Sequence, residues 1–170
     1  MAGRSTSPTA PPTSLKGTRI LIVEARYYEA IADELAAGAI AELEARGCSF
    51  ERVTVPGALE IPQAFAAAIE LGRIGYDVDA ADGFQGCVAL GCVIRGETSH
   101  YEIVCNNANH WLMHAAMNHG VAVGNGILTV DSPVQAHERA RGGREGKGGD
   151  AARACLRLIE IARMLEARSS

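Results

Sequence analysis

GCVALGCVIRGETSH, residues 86–100, decides how the rest of the chain is read. Up to Ile94 it is an uncharged apolar run, the pattern of a strand buried on both faces. Glycine, two hydroxyls and an imidazole then follow at Gly96, Thr98, Ser99 and His100. Ser99 to Glu102 fits the S-x-x-E capping box, so a helix is expected from Ser99 to His119, with Val104, Ala108, Trp111 and Ala115 on one face. Threonine and serine at a helix start serve as caps as readily as they bind ligands. A helix start also presents backbone N–H groups that attract anions. Both readings stand on these residues alone.

The same alternation continues on either side. TRILIVEA (18–25) reads as a buried strand, and the following helix carries Ile31, Leu35, Ala39 and Leu43 and stops at Gly47. FERVTV (50–55) is a second strand, and a helix is expected over 58–72, with Pro62 tolerable only near its start. After the polar connector GYDVDAADGF comes the strand at 86–94, and VAVGNGILTV (121–130) is a fourth. SPVQAHERA (132–140) is a short helix with Ser132 as cap and Pro133 at its first position. RGGREGKGGD (141–150) is expected to be a mobile loop, and 151–165 a closing amphipathic helix. Strands alternating with helices predict an α/β fold with a parallel sheet covered on both faces. Ligands in such folds gather at the carboxyl ends of the strands.

The totals agree. The 170 residues suffice for one domain with a sizeable core; 48% are apolar and only 5% aromatic, so close helix packing is expected. Residues 1–16, with their prolines, serines and threonines and no hydrophobic block, are expected to be a flexible tail without a secretory signal; residues 17–170 form the domain. The net charge of −4, with no basic stripe, speaks against a nucleic-acid partner. No apolar stretch reaches the ~18 residues of a membrane span. The odd set Cys48, Cys87, Cys92, Cys105 and Cys155 has no CxxC pair and reads as free thiols in a reducing compartment, so the cytoplasm is the expected location.

Further strand ends carry candidate chemistry. VPGALEIP (55–62) offers a glycine turn and Glu60, either an ordinary turn or a reader of a heterocycle and its hydroxyls. Tyr27, just past the first strand, can stack on a ring or pack at a rim. Asn125 sits between two glycines inside a strand expected to be buried, where polar groups need partners; a ligand or a neighbouring chain could supply them. Arg139 suits a two-point phosphate contact, with plain solvation as the alternative. Gly146-Lys147 imitates a phosphate loop but has the wrong spacing and lacks the Ser/Thr. His110 and His114 share a helix face, yet no third ligand is evident, and no metal is expected.

VPGALEIP, GCVIRGETSH, GNGILT and QAHERA, in that order and spacing, resemble the 6,7-dimethyl-8-ribityllumazine synthase family over roughly residues 18–165. The resemblance implies a flavodoxin-like three-layer sandwich with a four-stranded parallel sheet. It implies homo-oligomers built from pentamers, with active sites between subunits. It implies condensation of 5-amino-6-(D-ribitylamino)uracil with 3,4-dihydroxy-2-butanone 4-phosphate, with no metal or redox cofactor. Carried over, Tyr27 stacks on the uracil; Ala58, Leu59 and Glu60 hold the ribityl chain; Cys92, Val93 and Ile94 line the pyrimidine slot. Glu97, Thr98 and Ser99 bind the phosphorylated ketone, and His100 moves protons. Asn125 and Arg139 are implied to reach the site from the neighbouring subunit, Arg139 on the phosphate, and Lys147 matches a family lysine near that pocket. Asn125 stands where many members have an aromatic, Glu97 where a small residue is common, and Cys92 where threonine is frequent. A carboxylate beside phosphate is repulsive, so Glu97 is expected to serve through its backbone. A non-catalytic lumazine or riboflavin binder on the same fold is the alternative, and loss of His100 or Arg139 would mark it; both are present. An FMN electron carrier needs a phosphate loop after the first strand, and EARYYEA lacks one.

Overall fold

The structure, a computed structural model, describes residues 14–169. Four strands, β1 (Arg19–Ala25), β2 (Ser49–Val55), β3 (Gly86–Ile94) and β4 (Ala122–Val130), form one parallel sheet in the order β2-β1-β3-β4. The helices are α1 (Glu29–Ala45), α2 (Glu60–Glu70), α3 (His100–His119), α4 (Pro133–Ala140) and α5 (Lys147–Ser169). Alternate side chains of β1 and β3 point to opposite faces. Ile20, Ile22, Val88 and Leu90 pack with α1, α4 and α5, while Leu21, Val23, Cys87 and Ala89 pack with α2 and α3. The result is the expected three-layer α/β sandwich. β1 and β3 carry apolar side chains on both faces because both faces are covered, Arg19 and the ion-paired Glu24 of β1 apart. β2 has one neighbour, and it exposes Glu51, Arg52 and Thr54, charged and polar residues that discourage pairing with another edge.

The glycine-rich segment 141–150 differs from expectation. It is not a loop: Gly143–Glu145 form a 3-10 turn, and α5 already starts at Lys147. Its glycines let α5 approach α1 at backbone distance. A Cβ on Gly148 would lie 1.9 Å from the Leu35 carbonyl oxygen, and one on Gly124 of β4 would lie 1.9 Å from that of Ala151. The junction is tied by charge as well. Glu42 of α1, 1% exposed, accepts from Arg144 Nε at 2.8 Å and from Arg153 Nη2 at 3.2 Å. A carboxylate so buried is tolerable only when paired. Two further acids follow the same rule: Glu24 with Arg52 and Arg26, and Glu160 with Arg46 and Arg157.

The buried face of α3 is Ala108, Leu112 and Ala116, one residue round from the expected stripe; Trp111 is 52% exposed. The apolar signal on α3 was ambiguous because Ile103, Trp111 and Met117 form a second apolar surface facing outward. The expected tail falls, up to residue 13, outside the described residues. Of its last positions, Leu15 is buried in the α1/α5 core, and its carbonyl accepts from the Cys48 thiol. All five cysteines are free.

Candidate active site

The strand order reverses between β1 and β3: the chain leaves β1 toward β2 on one side, then returns to place β3 on the other. A crevice opens where the following loops diverge, outside the carboxyl ends of the strands. A cleft of about 460 Å³ occupies that place, a size suited to a small-molecule ligand. Its walls come from three of the four strand ends: Tyr27 and Tyr28 after β1, Pro56 to Glu60 after β2, and Cys92, Val93 and Ile94 at the end of β3. Gly96, Thr98, His100, Tyr101 and Val104 complete it from the β3–α3 turn and the first turns of α3.

The local sequence explains each wall. Ala25 ends β1 in the core, and the chain then turns outward, leaving Tyr27 74% exposed with its ring edge-on to Tyr28 at 4.9 Å between centroids. Pro56 and Gly57 break β2 from α2, and Glu60 opens that helix with Ile61 and Pro62 buried behind it. Pro62 thus falls in the first turn, where a missing N–H costs nothing. At the end of β3 burial fades from complete to partial over Cys92, Val93 and Ile94.

The capping box expected at Ser99 does not form. Ser99 is helical and makes no side-chain cap bond, while the His100 amide donates to Thr98 Oγ1 at 3.3 Å. Glu102, the other half of the box, instead accepts from Arg95 Nη1 at 2.8 Å, and that bond holds its carboxyl below the usual carboxylate range. The N-terminus of α3 therefore opens beside the cleft without a serine or glutamate lying across it. At Ser132 the expected cap does form: its hydroxyl accepts from the Gln135 amide at 3.3 Å.

Burial, with the neighbouring Cys105 adding to it, pushes the Cys92 thiol up to about 11, so it stays protonated at neutral pH and offers no thiolate nucleophile. Burial also raises Tyr28 and Tyr101, which keep their phenolic protons as hydrogen-bond donors. Among the described residues no three His, Cys, Asp or Glu side chains gather as a metal would require.

Of the residues singled out from sequence, Tyr27, Ala58, Leu59, Glu60, Cys92, Val93, Ile94, Thr98 and His100 line this cleft together. Glu97 and Ser99 are exposed on the same turn but do not line it. Asn125, Arg139 and Lys147 lie elsewhere in the chain. Asn125 is exposed on the edge strand β4 rather than buried, because β4 has no outer neighbour here; its Nδ2 donates to Asn109 Oδ1 at 2.6 Å, a partner within the same chain. Arg139 is exposed on α4, and Lys147 begins α5 beside Asp150. Sequence reasoning passed over Tyr28 and Tyr101, and gave Val104 only to the packing face of its helix. The spacing of Tyr101 and Val104, one helical turn apart immediately after His100, was the available signal for the last two.

The matches to known proteins meet at this geometry. A model of the 6,7-dimethyl-8-ribityllumazine synthase family matches residues 17–163. The chain is similar to the 6,7-dimethyl-8-ribityllumazine synthase of Xanthobacter autotrophicus, 55% identical over 90% of each chain. It is also similar to those of Azorhizobium caulinodans, 52% identical over 86% of this chain and 88% of the other, and Nitrobacter hamburgensis, 48% identical over 97% and 98%. The match spans every strand of the sheet and every segment that walls the cleft, and the chain belongs to the 6,7-dimethyl-8-ribityllumazine synthase family.

Proposed function

We propose that this chain is a transferase of riboflavin biosynthesis. It condenses 5-amino-6-(D-ribitylamino)uracil with 3,4-dihydroxy-2-butanone 4-phosphate to give 6,7-dimethyl-8-ribityllumazine, phosphate and two molecules of water. The observation that carries this reading is the single cleft in which the VPGALE and CVI…G…T…H segments, far apart in sequence, meet around one space.

In this reading Tyr27 stacks on the uracil. Ala58, Leu59 and Glu60 take the ribityl hydroxyls, and Cys92, Val93 and Ile94 form the floor of the ring slot. Thr98, Ser99 and the backbone at Glu97 receive the phosphate at the open N-terminus of α3, where N–H groups and the helix dipole favour an anion. The pyrimidine amine attacks the ketone carbonyl, and the carbinolamine loses water to an imine. Loss of the adjacent proton expels phosphate. The enol so formed tautomerises to a new carbonyl, and the ribitylamino nitrogen closes on it with loss of the second water. His100 passes protons between these centres, and holding the two reactants in register supplies much of the rate. No redox change occurs, and the reading calls for no cofactor.

Asn125, Arg139 and Lys147, away from the cleft of their own chain, suit service to the cleft of an adjacent copy, Arg139 and Lys147 toward its phosphate. The outward apolar residues of α3, Ile103, Trp111 and Met117, support such assembly, and we read it as built from pentamers in the cytoplasm. No described helix is long and apolar enough to cross a membrane.

The test is direct. The protein is mixed with both substrates and lumazine is followed by its absorbance against the slow uncatalysed reaction. A clear acceleration is expected; no acceleration with lumazine still tightly bound would replace catalysis by binding. Arg139→Ala should raise KM for the ketone phosphate about tenfold, the worth of one charge-assisted contact, with KM for the pyrimidine unchanged.

A further inference from the structure

We propose that Arg95 is a positioning residue for this reaction: it fastens the turn bearing Thr98 and His100 to the end of β4 and the start of α4. Arg95 is the first residue past β3, and its amide donates to the Val130 carbonyl at 2.9 Å, carrying the ladder one step beyond the strand. Its guanidinium makes contacts in three directions. Nε donates to Asp131 Oδ1 at 2.9 Å, Nη1 donates to Glu102 Oε1 at 2.8 Å, and the plane lies over the Tyr101 ring, 4.3 Å from its centroid. Asp131 stands between β4 and the Ser132 cap of α4, and its amide donates to Gln135 Oε1 at 2.8 Å. Tyr101 and Glu102 belong to the first turn of α3.

The turn itself has little else to hold it. Residues 95–100 are all exposed, and a Cβ on Gly96 would meet nothing within 4 Å. Arg95 does not line the cleft, but Ile94 and Gly96 on either side of it do. Exposed ion pairs are screened by solvent, so these contacts do little for global stability. They can, however, fix direction: a planar guanidinium held by two carboxylates and one aromatic face has a defined orientation, and lysine cannot reproduce it. Small displacements of a proton carrier carry large rate penalties.

The consequence is a split between rate and stability. The kinetic part rests on the proposed lumazine synthesis. Arg95→Ala should lower kcat at least tenfold and raise KM for the ketone phosphate. KM for the pyrimidine, lumazine affinity and the melting temperature should stay near those of the wild type. Arg95→Lys should recover only part of kcat. Glu102→Gln with Asp131→Asn should match Arg95→Ala, and adding Arg95→Ala to that pair should cost nothing more. Unchanged kinetics would overturn the proposal, as would a loss that tracks a fallen melting temperature and weaker lumazine binding. Hydrogen exchange separates this inference from the activity itself. Amides 96–102 should exchange at least tenfold faster in Arg95→Ala than in the wild type, whether or not lumazine is formed, and equal exchange would overturn the positioning role.

Discussion

Two stretches of this chain, RGETSH at 95–100 and RGGREGKGGD at 141–150, look alike as sequence: glycine and charge with hardly an apolar residue. In the fold they behave oppositely. The first lies exposed at the rim of a cleft, and open space surrounds Gly96. In the second, Gly146, Gly148 and Gly149 are buried, Gly148 against α1, and Arg144 reaches a buried carboxylate. Glycine next to charge therefore has two uses. It can leave room for a ligand, or it can bring two backbones together. What packs opposite decides between them.

The contrast can be broken at its strongest point first. Gly148→Ala places a Cβ against the Leu35 carbonyl, a backbone atom that cannot swing aside, so a loss of about 3 kcal/mol is expected in denaturant unfolding. A variant as stable as the wild type would show that α5 can stand off α1. His100→Ala tests the other region. Turnover should fall about a hundredfold, the ordinary scale of lost general acid–base help, while lumazine affinity and unfolding midpoint hold. Unchanged turnover would remove His100 from the chemistry.

Glu42→Gln comes next. It keeps the shape but removes the charge that Arg144 and Arg153 share, and both arginines remain partly solvated, so a cost of about 1–2 kcal/mol is expected in thermal or urea melts. The smallest effect should come from Gly96→Ala, within about 0.5 kcal/mol of wild-type stability, because its backbone needs no left-handed conformation and its surroundings are empty. A large loss there would mean that the turn is packed against something beyond this chain, such as a second copy.

The site divides in the same way. Tyr27, Glu60 and His100 were legible as cleft residues because each stands just past a strand, and the strands announce themselves by apolar runs; Ala58, Leu59 and the 92–94 segment came from the family resemblance. Tyr28 was passed over because a neighbouring tyrosine carries no periodic signal of its own. The Ser99–Glu102 box misled for a physical reason: a capping glutamate is also an ion-pair partner, and Arg95 competes for it with a charge-assisted hydrogen bond from Nη1. The α3 stripe was misplaced by one position because that helix is apolar on two faces, and periodicity cannot say which one meets the sheet.

By itself the sequence determined the strands and helices, their parallel pairing and the end of the sheet at which chemistry belongs. Those follow from apolar periodicity and short connections, which are local properties. Only the tertiary structure decided which glycines carry close packing, which arginines meet Glu24, Glu42 and Glu160, and which cap gave way to an ion pair. The packing and the long-range pairs depend on atoms brought together from distant parts of the chain, Glu42 with Arg153 and Arg46 with Glu160, and no window of neighbouring residues contains that information.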